Sequence, residues 1–158
     1  MILKHLARSI LLLALLFSIF PLTAIATDEA GLTPEEVVRF TNQERVRRGL
    51  QPLAVSAQLS RAAQAKASDM MNEQYYGHAE WERFIRVSGY NYCLAGENLA
   101  MNFTEPREVV EAWMHSSEHR DNLLKYGYRE IGVAVVRGRY KTVEDATFVV
   151  QMFGARCR

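Results

Sequence analysis

The spacing of apolar residues changes along this chain, from a helical repeat in its first two thirds to a strand pattern near its end. Between residues 56 and 75, apolar side chains recur every three or four residues, as in an amphipathic helix, and the many alanines among them suggest close packing. Residues 131–136 and 147–153 are instead rich in β-branched and aromatic side chains, with a turn region at Gly138 between them. Helices followed by adjacent antiparallel strands favour an α+β fold over alternating α/β units.

Capping signals locate the helices more closely. Thr33 and Glu36 form a capping box at the start of a first helix, which we expect to end at Gly49. Ser56 can cap a second helix that reaches to about residue 75. The other predicted elements are short helices at 81–87, 104–113 and 117–124 and a third strand around 90–93.

The first 26 residues have the parts of a secretory signal peptide. Lys4 and Arg8 give a basic start, residues 9–20 are almost entirely apolar, and Ala24 and Ala26 stand where a signal peptidase reads small residues. The predicted organisation is a signal peptide at 1–26, a short leader at 27–32 and a single domain at 33–158. The alternative is an uncleaved membrane anchor, for which the apolar run is short beside the ~20 residues of a transmembrane helix.

Charge and cysteine content narrow the class of protein. A formal net charge of +1 provides no basic excess for nucleic acid or an anionic membrane. Cleavage would leave about 130 residues, enough for one core but too few for two ordinary domains. In an oxidising compartment, Cys93 and Cys157 are expected to form one disulfide, and two separate thiols are the alternative. We therefore predict a secreted protein, periplasmic or extracellular, with no membrane span after cleavage.

Three short segments concentrate the side chains suited to chemistry: residues 76–78, 96–100 and 113–124. Outside the predicted signal peptide, all the histidines of the chain lie in the first and third of these segments, at positions 78, 115 and 119. None of the three lies inside an apolar run. The third segment also contains two serines, two acids and an asparagine behind a tryptophan, so donors and acceptors are dense there.

Taken in order, these segments resemble the CAP superfamily of cysteine-rich secretory proteins, antigen 5 and plant pathogenesis-related proteins. The resemblance is closest to the bacterial branch of SCP-like extracellular proteins, and it runs from Thr33 to Phe153. The motifs that carry it are Asn42-Gln43-Glu44-Arg45, Gly49-Leu50-Gln51-Pro52-Leu53, Gly96-Glu97-Asn98-Leu99-Ala100, and the run from His119 through Asn122-Leu123-Leu124 to Ile131-Gly132-Val133-Ala134. The resemblance implies an α-β-α sandwich with a central antiparallel sheet between helical layers.

The resemblance also implies a cleft that gathers two histidines and two acids. His78 and His119 match the family's histidines, and Glu97 matches the acid of the Gly-Glu-Asn motif. Where animal and plant members have a second acid, three residues after Trp113, this chain has Ser116, whose neutral hydroxyl is a poor zinc ligand. The implied cleft is His78, Glu97, His119 and Ser116, with the first three as candidate ligands of zinc or another divalent cation.

The same residues also have an interpretation without a cofactor. Two histidines near a glutamate can form a hydrogen-bonded polar cluster with no metal. Glu97 can instead hold backbone amides in a turn before Leu99. We expect Asn98 and Asn122 to bond backbone groups in turns.

Two enzyme classes remain open. The first is a zinc protease of the inverted type, in which His115 and His119 on one helix would bind the metal beside Glu118. Ser116-Ser117 favours a helix break between these two histidines. The second is a peptidase in which His119 and Glu97 act with a serine nucleophile or a zinc-bound water. No Gly-x-Ser-x-Gly elbow is present.

The leading functional prediction is a secreted, non-enzymatic or weakly enzymatic extracellular binding module. The resemblance implies lipid or sterol ligands in some members and protein partners outside the cell or at the cell envelope in others. Because one scaffold can carry many activities, fold resemblance alone does not select the ligand.

Overall fold

The computed structural model describes residues 31–157, so the predicted signal peptide and most of the predicted leader lie outside the described range. Within that range, no helix is both long enough and apolar enough to cross a bilayer. The elements in chain order are α1 (Pro34–Arg47), β1 (Ala54–Val55), α2 (Ala57–Asn72), α3 (Trp81–Val87), β2 (Tyr92–Met101), α4 (Pro106–His115), α5 (Ser117–Leu123), β3 (Glu130–Tyr140) and β4 (Val143–Arg156).

The strands form one sheet in the order β1-β3-β4-β2. The long strand β4 pairs antiparallel with β3 on one side and with β2 on the other. The two-residue strand β1 runs parallel to β3 at the edge of the sheet. The predicted α+β sandwich with its central antiparallel sheet is confirmed, and β1 adds one short parallel pairing to it.

Each face of the sheet has its own hydrophobic core. On β4, Phe148, Val150 and Met152 pack on the same side as α2 and α3. Val149 and Phe153, which alternate with them, pack on the opposite side with α1, α4 and α5. Because successive side chains of a strand point to opposite faces, a strand covered on both sides needs a continuous apolar run. This accounts for the largely apolar run at residues 148–153, which only Gln151 interrupts.

Helix α2 lies directly against β3 at Gly132. A Cβ atom at this position would lie 2.1 Å from the backbone carbon of Leu59 and 2.1 Å from the backbone nitrogen of Ser60. Ala63 and Ala67 of α2 are fully buried, in agreement with the close packing that the alanines suggested. Small residues on both elements therefore set the separation of helix and sheet.

Several boundaries differ from the sequence-based expectations, as the following examples show. Helix α2 ends at Asn72 rather than near residue 75, and Gln74 just beyond it has a left-handed backbone with φ of 55°. Helix α4 begins at Pro106, whose ring suits the first helical turn. Strand β2 extends to Met101, so Gly96–Ala100 lies inside a strand and not in the expected turn.

The predicted disulfide is confirmed. Cys93 and Cys157 are bonded across 64 residues of sequence, and no free cysteine is present between residues 31 and 157. The bond joins the start of β2 to the residue after the end of β4. Close by, the Tyr90 hydroxyl donates to Glu130 at 2.6 Å and Arg156 donates to the same carboxylate at 3.1 Å. The disulfide and the ion pair of Arg156 with Glu130 thereby hold the end of the C-terminal strand.

Candidate functional site

A cleft of about 290 Å³ lies between β2, α5 and the loop that precedes α3. The sequence-predicted residues His78, Glu97 and His119 all line this cleft. Ser116 lies next to it, hydrogen-bonded to His119. The other lining residues are Trp81, Ala95, Gly96, Glu118, Asn122, Lys125 and Tyr128.

Glu97 and His78 form a hydrogen-bonded pair in the cleft. Oε1 of Glu97 lies 2.8 Å from Nδ1 of His78, and the Glu97 side chain is only 1% exposed while that of His78 is 56% exposed. The second oxygen of Glu97, Oε2, is buried and has no hydrogen-bond partner among the described residues. Glu97 therefore lies within β2 and contacts the side chain of His78. The alternative in which Glu97 holds backbone amides in a turn is wrong.

Burial favours the neutral forms of the cleft groups. It raises the pKa of Glu97 to about 8, against the opposing effect of the Lys66 charge. Partial burial lowers the pKa of His78, and positive charge on His119 and Lys66 lowers it further. Partial burial also lowers the pKa of His119. Neutral imidazoles have a free lone pair near neutral pH, so both rings can act as ligands or bases.

His119 is paired with Ser116, and a helix break separates it from His115. Nδ1 of His119 lies 3.0 Å from the Ser116 hydroxyl oxygen. Ser116 has an extended backbone, with φ of −96° and ψ of 125°, where α4 ends and α5 begins. His115 is exposed, and its Nδ1 lies 2.7 Å from the Glu111 carbonyl oxygen. The inverted zinc-protease pattern requires both histidines on one continuous helix, and His115 and His119 do not lie on one.

Both cleft histidines use Nδ1 within the protein. Neither Nε2 atom has a hydrogen-bond partner among residues 31–157. When Glu97 is ionised and His78 carries its proton on Nδ1, the ring donates to Glu97 and its Nε2 lone pair is free for a cation. When Glu97 is protonated, its hydroxyl donates to Nδ1 and the ring proton lies on Nε2, so cation binding requires loss of a proton from this pair. The described part of the chain contains no group of three His, Cys, Asp or Glu side chains that could hold a metal ion. The protein therefore offers two imidazole nitrogens, with Glu97 in contact with one ring.

A buried polar network behind the cleft was not predicted from the sequence. The fully buried Gln151 on β4 donates to the Thr41 hydroxyl of α1 at 2.8 Å and accepts from Asn98 at 3.3 Å. The Asn98 amide also donates to the His119 carbonyl oxygen at 3.1 Å. A glutamine within an apolar strand pattern was the available signal, because a buried amide requires partners.

The backbone of β2 is held to α5 by a second part of this network. Asn122 donates to the Glu97 carbonyl oxygen and to the Asn98 side-chain oxygen, both at 3.0 Å. Asn98 and Asn122 thus bond backbone carbonyls, but from a strand and a helix rather than from turns. The Tyr128 hydroxyl approaches so closely that a Cβ at Gly96 would lie 2.1 Å from it. The glycine of the Gly-Glu-Asn motif is required by this contact.

Residues 38–153 match the model of the family described as CAP, the cysteine-rich secretory protein family. The uncharacterized protein YkwD of Bacillus subtilis (strain 168) is 37% identical over 119 residues, which cover 72% of this chain and 46% of that protein. The uncharacterized membrane protein YlbC of the same organism is 29% identical over 111 residues, which cover 67% of this chain and 32% of that protein. The chain therefore spans less than half the length of these curated relatives.

Solved structures have the same fold at low sequence identity. An extracellular protein containing an SCP domain from Bacillus anthracis str. Ames matches with a TM-score of 0.68 at 24% identity, over 78% of this chain and 40% of that one. An outer surface protein from Borrelia burgdorferi matches with a TM-score of 0.69 at 21% identity, over 78% of this chain and 92% of that one.

Proposed function

Since the chain belongs to the CAP (cysteine-rich secretory protein) family, we propose that it is an extracellular binding module whose ligand site is the cleft of His78, Glu97 and His119. An extracellular location is supported by the signal-like N-terminus, by the disulfide and by two structural neighbours, an extracellular protein and an outer surface protein.

The arrangement of the two imidazoles carries this proposal. In each ring Nδ1 is held by an oxygen of the protein, and Nε2 has no partner among residues 31–157, in a cleft that solvent reaches. Such fixed rings are suited to binding, because their orientation costs little entropy when a ligand arrives. The other lining side chains are mostly polar, which favours a polar group of the ligand at this site. A lipid or sterol ligand would have to bury its apolar part elsewhere.

A divalent cation fits this site in part. His78 and His119 would hold it through nitrogen, and Glu97 would orient His78 in the way that carboxylates commonly support metal-bound histidines. A bound zinc ion would supply positive charge and Lewis acidity for an oxygen of the ligand. Because the protein supplies two ligands, affinity should be well below that of closed structural sites, whose binding free energies are ~10 kcal/mol or more.

Metal content and peptide cleavage, measured on the same purified protein, test this proposal. We expect exchangeable zinc that chelators remove without unfolding the protein, and cleavage at background with and without zinc. Zinc-dependent cleavage that is lost in His119→Ala would contradict a binding module and support the peptidase alternative.

One contact favours a second candidate, a serine hydrolase. The Ser116 hydroxyl lies 3.0 Å from His119, within reach for a nucleophile and its base. However, Glu97 is bonded to His78, so the acid that would orient His119 is paired with the other histidine. Labelling with a fluorophosphonate probe separates the two candidates. We expect no labelling of Ser116; labelling that disappears in His119→Ala would establish the hydrolase.

A further inference from the structure

We propose that Lys66 is a positioning residue that holds His78 in the cleft, an inference that rests on the proposed function of that cleft. Lys66 lies in α2 and is completely buried. Removing an ammonium group from water is costly, and lysine is rarely fully buried without partners. The contacts of the Lys66 ammonium group therefore indicate the role of this buried charge.

The Lys66 ammonium group binds the chain on both sides of His78. Its Nζ donates to the carbonyl oxygen of Ala79 at 2.7 Å and to the hydroxyl of Tyr75 at 3.1 Å. The Tyr75 hydroxyl in turn donates to Asp69 at 2.6 Å, which anchors it to α2. The loop that carries His78 is thus tied to α2 three residues before the histidine and one residue after it.

Lys66 also acts on the partner of His78. Its positive charge is close enough to Glu97 for each group to shift the pKa of the other. The ammonium group lies 4.8 Å from the ring centre of Tyr75 and 5.6 Å from that of Phe84, and both rings help to stabilise a buried cation. One side chain therefore fixes the loop that carries His78 and lies close to the carboxyl group that His78 contacts.

A purely structural role makes a different prediction from a positioning role. Methionine keeps the apolar packing of the lysine stem and removes a charge whose burial is costly, so Lys66→Met should cost little stability. The Ala79 carbonyl can turn to water, because Ala79 is exposed. If Lys66 serves position rather than stability, Lys66→Met should keep a stable fold while His78 loses its fixed place.

The test compares wild type, Lys66→Met and Arg61→Met, a matched control on the exposed face of the same helix. In metal-free protein, we expect the nitrogen shifts of the His78 ring in Lys66→Met to become those of a free histidine with exchanging tautomers. The urea midpoint should stay equal to wild type or rise. In calorimetric titration, the zinc Kd should increase at least tenfold, as for loss of other groups that orient metal-bound histidines. Arg61→Met should match wild type in all three measurements.

A lower urea midpoint in Lys66→Met with unchanged His78 shifts and unchanged zinc Kd would overturn the inference and leave Lys66 a structural residue. If wild type binds no zinc, the metal part of the proposed function fails, and the His78 shifts still decide the role of Lys66. If Lys66→Met does not fold, Tyr75→Phe removes one of the two contacts and leaves Lys66 bonded to Ala79. The His78 shifts should then move in the same direction by a smaller amount, and unchanged shifts would overturn the inference.

Discussion

At the level of single residues, Glu97 shows how a buried acid of the cleft affects the stability of the folded protein. Its carboxyl group is buried inside a strand, one oxygen contacts His78, and the other oxygen has no partner among the described residues. Burial of this kind favours the protonated acid, since an unpaired charge is costly in the interior. The group should therefore make stability depend on pH.

We predict that stability falls between pH 5 and pH 8 because of Glu97. Its folded pKa is raised from 4.5 to about 8, so the folded state holds this proton more tightly than the unfolded state. The contribution is present below pH 4.5 and is lost as pH rises towards 8. Relative to wild type, Glu97→Gln should gain about 1–3 kcal/mol between pH 5 and pH 8 in the presence of chelator. Urea midpoints at the two pH values measure this, and parallel pH curves would contradict it.

Ser116 provides a second test at the residue scale. Its hydroxyl lies 3.0 Å from Nδ1 of His119, so an acid at this position can accept the Nδ1 proton and make the ring a better ligand. Ser116→Glu should tighten zinc binding by about tenfold. Ser117→Glu places the same charge on a neighbouring exposed residue and should bind zinc like wild type. Equal affinities in all three proteins would show that the side chain at 116 does not influence the site.

At the scale of elements, the contact between α2 and β3 is the most constrained packing in the fold. Gly132→Ala would place a methyl group 2.1 Å from the backbone of α2, so helix and sheet must separate. We expect a loss of about 2–4 kcal/mol in unfolding free energy. Gly138→Ala, on the same strand, meets only the flexible Met71 side chain at 3.3 Å and should cost less than about 1 kcal/mol. Similar losses in the two variants would refute this account of the interface.

The elements also show which parts of the structure could be predicted from the sequence. The capping signals at Thr33 and Ser56 correctly predicted the starts of two helices, because a cap is a local interaction. Strand β1 has two residues and exists through its pairing with β3, a partner far along the chain. The length of β2 was underestimated for the same reason, since its pairing with β4 and burial from both faces sustain it through Gly96.

The residues of the candidate site also fall into those that the sequence predicted and those that depend on distant partners. His78, Glu97, His119 and Ser116 were predicted through family motifs, and the structure brings them together. Lys66 and Gln151 were missed, because their role depends on partners supplied by distant elements. Sequence spacing also could not reveal that Glu97 pairs with His78 and Ser116 with His119, since this depends on side-chain geometry.

At the scale of the whole molecule, the Cys93–Cys157 bond closes a loop across 64 residues. Chain entropy gives ~4 kcal/mol for a loop of this length, and we expect the double variant Cys93→Ala/Cys157→Ala to lose about 2–4 kcal/mol in urea unfolding. It should still fold, because backbone pairing of β2 with β4 continues to Tyr92 and Arg156. Unfolding free energies equal to that of the oxidised wild type would contradict this prediction.

We infer that His78 and His119 act together at one ligand site and that His115 lies outside it. Calorimetric zinc titration of wild type, His78→Ala, His119→Ala and His115→Ala tests this claim. We predict one weak site per chain in wild type, retained in His115→Ala and lost in each of the other two variants, because a single imidazole cannot hold the ion. Loss of binding in His115→Ala with His78→Ala unaffected would contradict the claim.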